Sequence, residues 1–354
     1  RGDYEVVVND TLTDRRFATE TVTVAEGDVD LNADVFADER GDVVSVPVEV
    51  RRTGTATVVV GSGDVGYEAT VVLLDDDGDD RVTLQWNTYL ADGPDDGVGE
   101  AFSVGDDDDR IRVESVRSDI AGGDADEPEV VEAGTYDLFV RSGASSTRST
   151  SREPEDVAIV ELGPRATTSA SVLVMAGEVA PDVEDASDLR EARRTGNLTR
   201  TDEVTTRDVL VFQVNASGIA GVFEGSDDDA ERLIDRAPPL AVRFEQADAF
   251  NERPVELRIE SNDARLVEDR AGDAYYLFVD VGGLDTVPAD LASTADADVE
   301  AEPLRTDTRF EGNFTLRGDG GLAERDESVV HEFDVVEPEF DVSEGVELPV
   351  TANG

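Results

Sequence analysis

Residues 74–82 read Leu-Asp-Asp-Asp-Gly-Asp-Asp-Arg-Val, which puts five carboxylates into the six positions 75–80. Asp75, Asp77 and Asp79 stand at alternate positions, the spacing with which calcium loops present oxygen ligands, and Asp80 adds a fourth acid. Ca2+ takes six to eight oxygens at about 2.3–2.6 Å, so a tight carboxylate loop is a reasonable seat for it. The helix–loop–helix version is excluded. It needs glycine at its sixth position and glutamate at its twelfth, where this chain has Asp80 and Trp86. Two readings follow: a looser Ca2+ site on a β-hairpin, or a solvated hairpin tip in a chain whose default polar residue is aspartate. The acidic runs 106–109 and 227–229 are weaker candidates, because successive residues of a strand point to opposite faces. Asp182, Glu184, Asp185 and Asp188 form another acidic group, at an inferred domain junction.

Other chemistries lack their parts. With no cysteine there are no disulfides, thiolates or cysteine-based zinc sites. His331 is the only histidine and lies in a strand pattern, so a hydrolytic triad has no evident base. Two carboxylates suffice for glycoside hydrolysis, but among 84 acids some pair meets the spacing by accident. Gly61, Gly63 and Gly66 match a dinucleotide fingerprint in spacing, yet a second strand follows them where a helix is required. The chain therefore reads as non-enzymatic. Nucleic acid is an unsuitable partner, since 84 acids against 30 arginines, with no lysine, give a net charge of −54.

That charge is spread over the whole chain rather than gathered in a tail. In dilute buffer it drives a compact chain apart, whereas at 1 M salt the Debye length falls to about 3 Å and the repulsion is screened. The composition reads as adaptation to brine. Disorder is the rival explanation of so much charge, but 39% of residues are hydrophobic and they fall in ordered alternation.

The elements predicted to position these residues are strands. Period-two runs occupy 43–50, 55–60, 67–74 and 81–90, with Gly, Asp and Asn between them, and Trp86 is placed to fill a core. Further strands are expected near 209–214, 240–244, 255–259, 275–281, 309–316 and 329–336. A short helix is expected over 185–194, capped by Asp185 or Ser187, and a second over 227–234. An internal repeat relates 2–8 (Gly-Asp-Tyr-Glu-Val-Val-Val) to 134–140 (Gly-Thr-Tyr-Asp-Leu-Phe-Val), each followed by a second strand, at 20–26 and 156–162. The fold class is thus all-β: tandem immunoglobulin-like antiparallel β-sandwiches, the second with one or two short helices. The domains read as 1–28, the closing hairpin of a truncated or preceding sandwich; 29–175, a β-sandwich surface domain; 176–338, a second β-rich domain; and 339–354, the start of a further one.

A family resemblance rests on the run 39–44 (Glu-Arg-Gly-Asp-Val-Val), on Thr55 and Thr57, on Tyr67 to Thr70, and on Asn87, Thr88 and Tyr89. With Asp208, Gln213, Gly218 and Ile219 of the second region, these resemble haloarchaeal cell-surface glycoproteins, the S-layer-associated type often labelled BGTF surface domain. The resemblance covers most of residues 1–340. It implies export, glycosylation and a cell-envelope location, with copies of itself or other surface-layer proteins as partners. Membrane attachment would come only through segments outside these residues, since the family's C-terminal sorting segment is absent here. Sequons at Asn9, Asn197, Asn215 and Asn313 are candidate sites for N-linked glycans. The expected function is a structural surface protein. The alternative, a surface adhesin or ligand-binding module, would be favoured by a pocket lined by Phe250, Tyr275 or Tyr276.

If screening holds the fold together, transfer from molar NaCl to dilute buffer without divalent ions should lower the melting temperature markedly. An unchanged melting curve, followed by circular dichroism, would defeat this account.

Overall fold

A computed structural model describes residues 2–10, 15–24, 27–90, 101–119, 130–144, 153–224, 229–234, 239–292 and 300–338. The expected tail strand in 339–354 lies outside them. The described chain is dominated by strands and divides into two compact units. The first comprises 1–166 together with 217–225 and 318–325, and the second comprises 167–216, 226–317 and 326–354. Contiguous boundaries at 175 and 338 therefore do not describe the first unit, which reclaims two segments from far along the chain.

The first unit opens with a separate two-stranded hairpin, β1 (Gly2–Asp10) and β2 (Arg15–Val24). Ten strands follow: β3 (Asp30–Leu31), β4 (Val35–Glu39), β5 (Val43–Glu49), β6 (Thr55–Ser62), β7 (Tyr67–Leu74), β8 (Arg81–Asn87), β9 (Phe102–Val104), β10 (Arg110–Ser118), β11 (Gly134–Ser142) and β12 (Asp156–Gly163). They form a six-stranded sheet, β10-β7-β6-β11-β12-β4, and a four-stranded sheet, β3-β5-β8-β9. Alternation does the work. Val44, Val46 and Val48 of β5, Val58 and Val60 of β6, and Leu138 and Val140 of β11 point into one shared core. Trp86 is its centre, stacked between Tyr67 and Phe102 with ring centroids 5.4 and 6.4 Å away, and Tyr136 meets it edge-on.

The second unit contains β13 (Ala166–Ala176), α1 (Ala186–Thr195), β14 (Leu198–Arg200), β15 (Glu203–Thr205), β16 (Asp208–Ser217), α2 (Asp229–Ile234), β17 (Leu240–Gln246), β18 (Val255–Arg258), β19 (Ala264–Asp269), β20 (Ala274–Asp280), β21 (Asp285–Pro288), β22 (Glu302–Pro303), β23 (Thr308–Leu316) and β24 (Glu327–Val336). Its sheets are β14-β13-β16-β20-β19 and β15-β24-β23-β17-β18-β21-β22. Phe212, Phe244, Phe310 and Phe333 form an aromatic chain inside it. The outer face of the five-stranded sheet is also covered: Leu189 and Ala192 of α1 pack on Val211, Tyr276 and Phe278. Tyr275 and Tyr276 are consequently both buried, one on each face, so neither lines an open pocket. Most of the described pairings are antiparallel, but β4 with β12 and β15 with β24 run parallel, so the sheets are not purely antiparallel.

The two distant segments of the first unit are held by the residues on which the family resemblance rests. The Asp42 carboxylate, 7% exposed, accepts the N–H groups of Gly218 at 2.7 Å and Ala220 at 2.8 Å. Gly221 N–H donates to Gly41 carbonyl at 2.9 Å, and Asn87 Nδ2 donates to Gly221 carbonyl at 2.8 Å. Thr88 Oγ1 accepts from Gly41 N–H and donates to Asp42 carbonyl. Arg40 reaches the carbonyls of Val131, Gly321 and Leu322. Gly41 has φ 95°, and a Cβ there would stand 2.2 Å from the Gly218 carbonyl oxygen, so no other residue fits.

Bonds to a charged acceptor contribute about 1.5–3 kcal/mol each, so Asp42→Ala should destabilise the first unit by roughly 3–5 kcal/mol. Asp42→Asn should lose less. Denaturant unfolding in molar KCl checks this, and equal stability of Asp42→Ala and wild type would refute the role.

Candidate functional site

The acidic loop 75–80 connects β7 to β8 and is folded on its own amides. Asp75 Oδ1 accepts Gly78 N–H at 2.7 Å and its Oδ2 accepts Asp80 N–H at 3.2 Å. Asp77 accepts from Asp79 N–H, and Asp79 accepts from Arg81 N–H. Gly78 and Asp80 take positive φ, 77° and 67°, which turns the chain sharply enough for these bonds. Asp76 forms a bidentate pair with Arg110, whose guanidinium holds the carboxyl below its usual range.

The antiparallel pairing of β7 with β10 sets Leu74 opposite Arg110 and so brings the second acidic run beside the first. Oxygens of Asp75, Asp77 and Asp109 lie within 4.8 Å of one another. Asp79 and Asp80 are outside this group, and Asp109, which was assigned to a separate run, is inside it. Asp109 is 5% exposed. Its Oδ1 accepts only a long bond, 3.3 Å, from Asp76 N–H. Burial raises its pKa above the ordinary 3.8. The Asp76 bond opposes that rise, and the negative charges of Asp77, Asp75 and Asp79 add to it.

The other acidic candidates have structural employment. Asp185 caps α1, accepting Ser187 N–H at 2.7 Å and Asp188 N–H at 3.0 Å, while Asp188 accepts Glu184 N–H. Asp38, Glu39 and Asp42 also converge, but Asp42 is the buried group that ties Gly218 and Ala220 to the first unit. Residues 227–228 lie outside the described residues. His331 pairs with Asp202 at 3.0 Å.

The sequons differ in presentation. Asn197 is exposed and directly follows Gly196, the left-handed residue that ends α1. Asn215 is half-buried, donating to Ser169 Oγ and accepting from Gln213. Asn313 is half-buried in β23 and accepts from the hydroxyl of its own Thr315. Asn9 lies in β1.

A family model described as a domain of unknown function (DUF7827) matches residues 22–143, most of the first unit's β-sheet scaffold. Over 347 residues, 97% of this chain, it is 32% identical to a "Cell surface glycoprotein" of Haloferax gibbonsii. Over nearly its whole length the chain is similar to haloarchaeal cell surface glycoproteins. "Cell surface glycoprotein 2" and "Cell surface glycoprotein 1" of Haloarcula hispanica match at 28% and 25% identity over 88% and 89% of the chain. The chain spans 35–37% of the length of these relatives. This likeness to cell surface glycoproteins supports an extracellular, cell-surface location.

Asp109 gives a pH test with a definite sign. Its pKa is higher in the folded chain than in the unfolded one, so the ionised form opposes folding, and that opposition lifts as pH falls through the raised value. In chelator-treated molar NaCl, Asp109→Asn should melt above wild type at neutral pH. The gap should close on acidification toward 3.8. A variant that melts at or below wild type at neutral pH would contradict the assignment.

Proposed function

We propose that this chain is a non-catalytic segment of a surface-layer coat, built from successive sandwiches and stiffened by a divalent cation. The observation that carries the tandem reading is a matched register. In β1–β2, Gly2 pairs with Val24 and Tyr4 with Val22; in β11–β12, Gly134 pairs with Leu162 and Tyr136 with Val160. The repeat is thus a repeat of pairing as well as of residue types. In the first unit the second hairpin closes the sandwich, with β6 on one side and β4 on the other. The first hairpin suits the same closing role in a sandwich formed with other strands, since a lone two-stranded hairpin is marginally stable in water.

Asp75, Asp77 and Asp109 are the residues that would hold the cation. Three carboxylates supply up to six oxygens, and Ca2+ would compensate the poorly bonded Asp109. Binding there would join the β7–β8 and β9–β10 connections at one edge. Neighbouring copies or other coat proteins are the partners this reading requires, and Asn197 is better presented for a glycan than Asn215 or Asn313.

Calorimetric titration of Ca2+ in molar NaCl should give heat with one defined stoichiometry, absent when Asp75, Asp77 and Asp109 are changed to Asn. At a hundredfold excess over Kd, binding adds about 2.7 kcal/mol to stability. For a unit of this size that is a rise in melting temperature of roughly 5–10 °C. In cells, the protein should sit in an ordered envelope lattice loosened by chelation. Dispersed surface labelling in electron tomograms would argue against the coat role, whatever the calorimetry gives.

A further inference from the structure

In the second unit, β17 pairs with β23 over seven positions but with β18 at only one, Glu245 opposite Glu256. The sheet parts there. Residues from five neighbouring strands, β23, β17, β18, β21 and β22, line one cavity of about 430 Å³. That volume lies within the range of small-molecule sites.

We propose that this cleft binds a neutral saccharide of one or two rings. Its floor is apolar, with Phe310 fully buried beside Val255 and Pro288. Around the floor stand groups that both donate and accept. Gln246 offers an amide, and Thr308 a hydroxyl. The two arginines, Arg253 and Arg305, are already paired with Asp290 and Glu302. A compensated guanidinium–carboxylate pair shows a neighbouring N–H and oxygen to a ligand without leaving a net charge. That suits a diol, which must donate and accept side by side. Free anions are disfavoured by Glu252 and Glu300 on the same wall. Brine also screens charge attraction beyond about 3 Å, so recognition has to rest on short hydrogen bonds and apolar ring contact. This assignment stands independently of the coat reading.

Saturation-transfer NMR on the full chain in molar NaCl would test it, with methyl α-glucoside, maltose and N-acetylglucosamine as probes and glucuronate and sulfate as charged comparisons. Transfer to at least one neutral sugar is expected, weakened roughly fivefold or more by Gln246→Leu, as loss of one hydrogen-bonding group implies. Thr308→Val, which removes the lining hydroxyl, should weaken it too while leaving the circular dichroism spectrum unchanged. The proposal is overturned if no neutral sugar shows transfer, if both variants bind as wild type does, or if glucuronate or sulfate binds more tightly than every neutral probe. Competition by a released glycan of the protein itself would identify neighbouring chains, rather than free sugars, as the source of the ligand.

Discussion

The first unit depends on a single buried carboxylate. Asp42 is removed from water and therefore needs partners, and it finds them in two backbone N–H groups some 176 and 178 residues away. The dependence is mutual. A segment without regular strands can be buried only if its amides are satisfied, and an ionised acceptor satisfies two at once. Glycine completes the arrangement, because Gly41 and Gly221 let two backbones approach to a distance that any side chain would block. The chemistry of Arg40, Asp42, Asn87 and Thr88 is thus the chemistry of closure: each bonds main chain.

The same economy governs the charged surface. Five acids in six positions look untenable until the amide directions are counted. Asp75 alone accepts two N–H groups, and Asp76 has an arginine to itself. Arginine performs this task across both units, often with an acid two positions away in sequence, as in Arg112 with Glu114 and Arg270 with Glu268. Such exposed pairs contribute little stability individually. Their effect is to relieve repulsion locally, so that bulk salt has to screen only the remainder. Asp109, buried and holding one long bond, is where this local relief runs out.

How far the sequence could be read depended on the range of the interactions. Strands with β-branched alternation, such as β5 and β7, were legible almost to the residue, and so was the Asp185 cap, because its partners lie two and three positions away. Trp86 announced itself by bulk. Strands β10 and β13 were not anticipated, since charged and small residues interrupt their pattern. Tyr275 and Tyr276, adjacent in one strand, are both buried because α1 covers the second face of the sheet, and nothing in their own segment signals that. The grouping of Asp109 with Asp75 needed the β7–β10 pairing. Given that two neighbouring strands end in acidic runs, their adjacency was the available signal.

The first unit's discontinuity has a consequence for how the chain is made. Its sheets are complete by residue 163, yet the partners of Asp42 and Arg40 are not present until residues 218–220 and 321–322 have been synthesised. A chain emerging vectorially from a ribosome or a translocation channel would hold a nearly finished sandwich with an exposed, unmatched seam while more than a hundred further residues appear. Closing so long a loop is slow rather than thermodynamically forbidding. Recombination obeys the same geometry: a crossover between residues 163 and 218 would separate Asp42 from its amides, although all of them belong to the first unit.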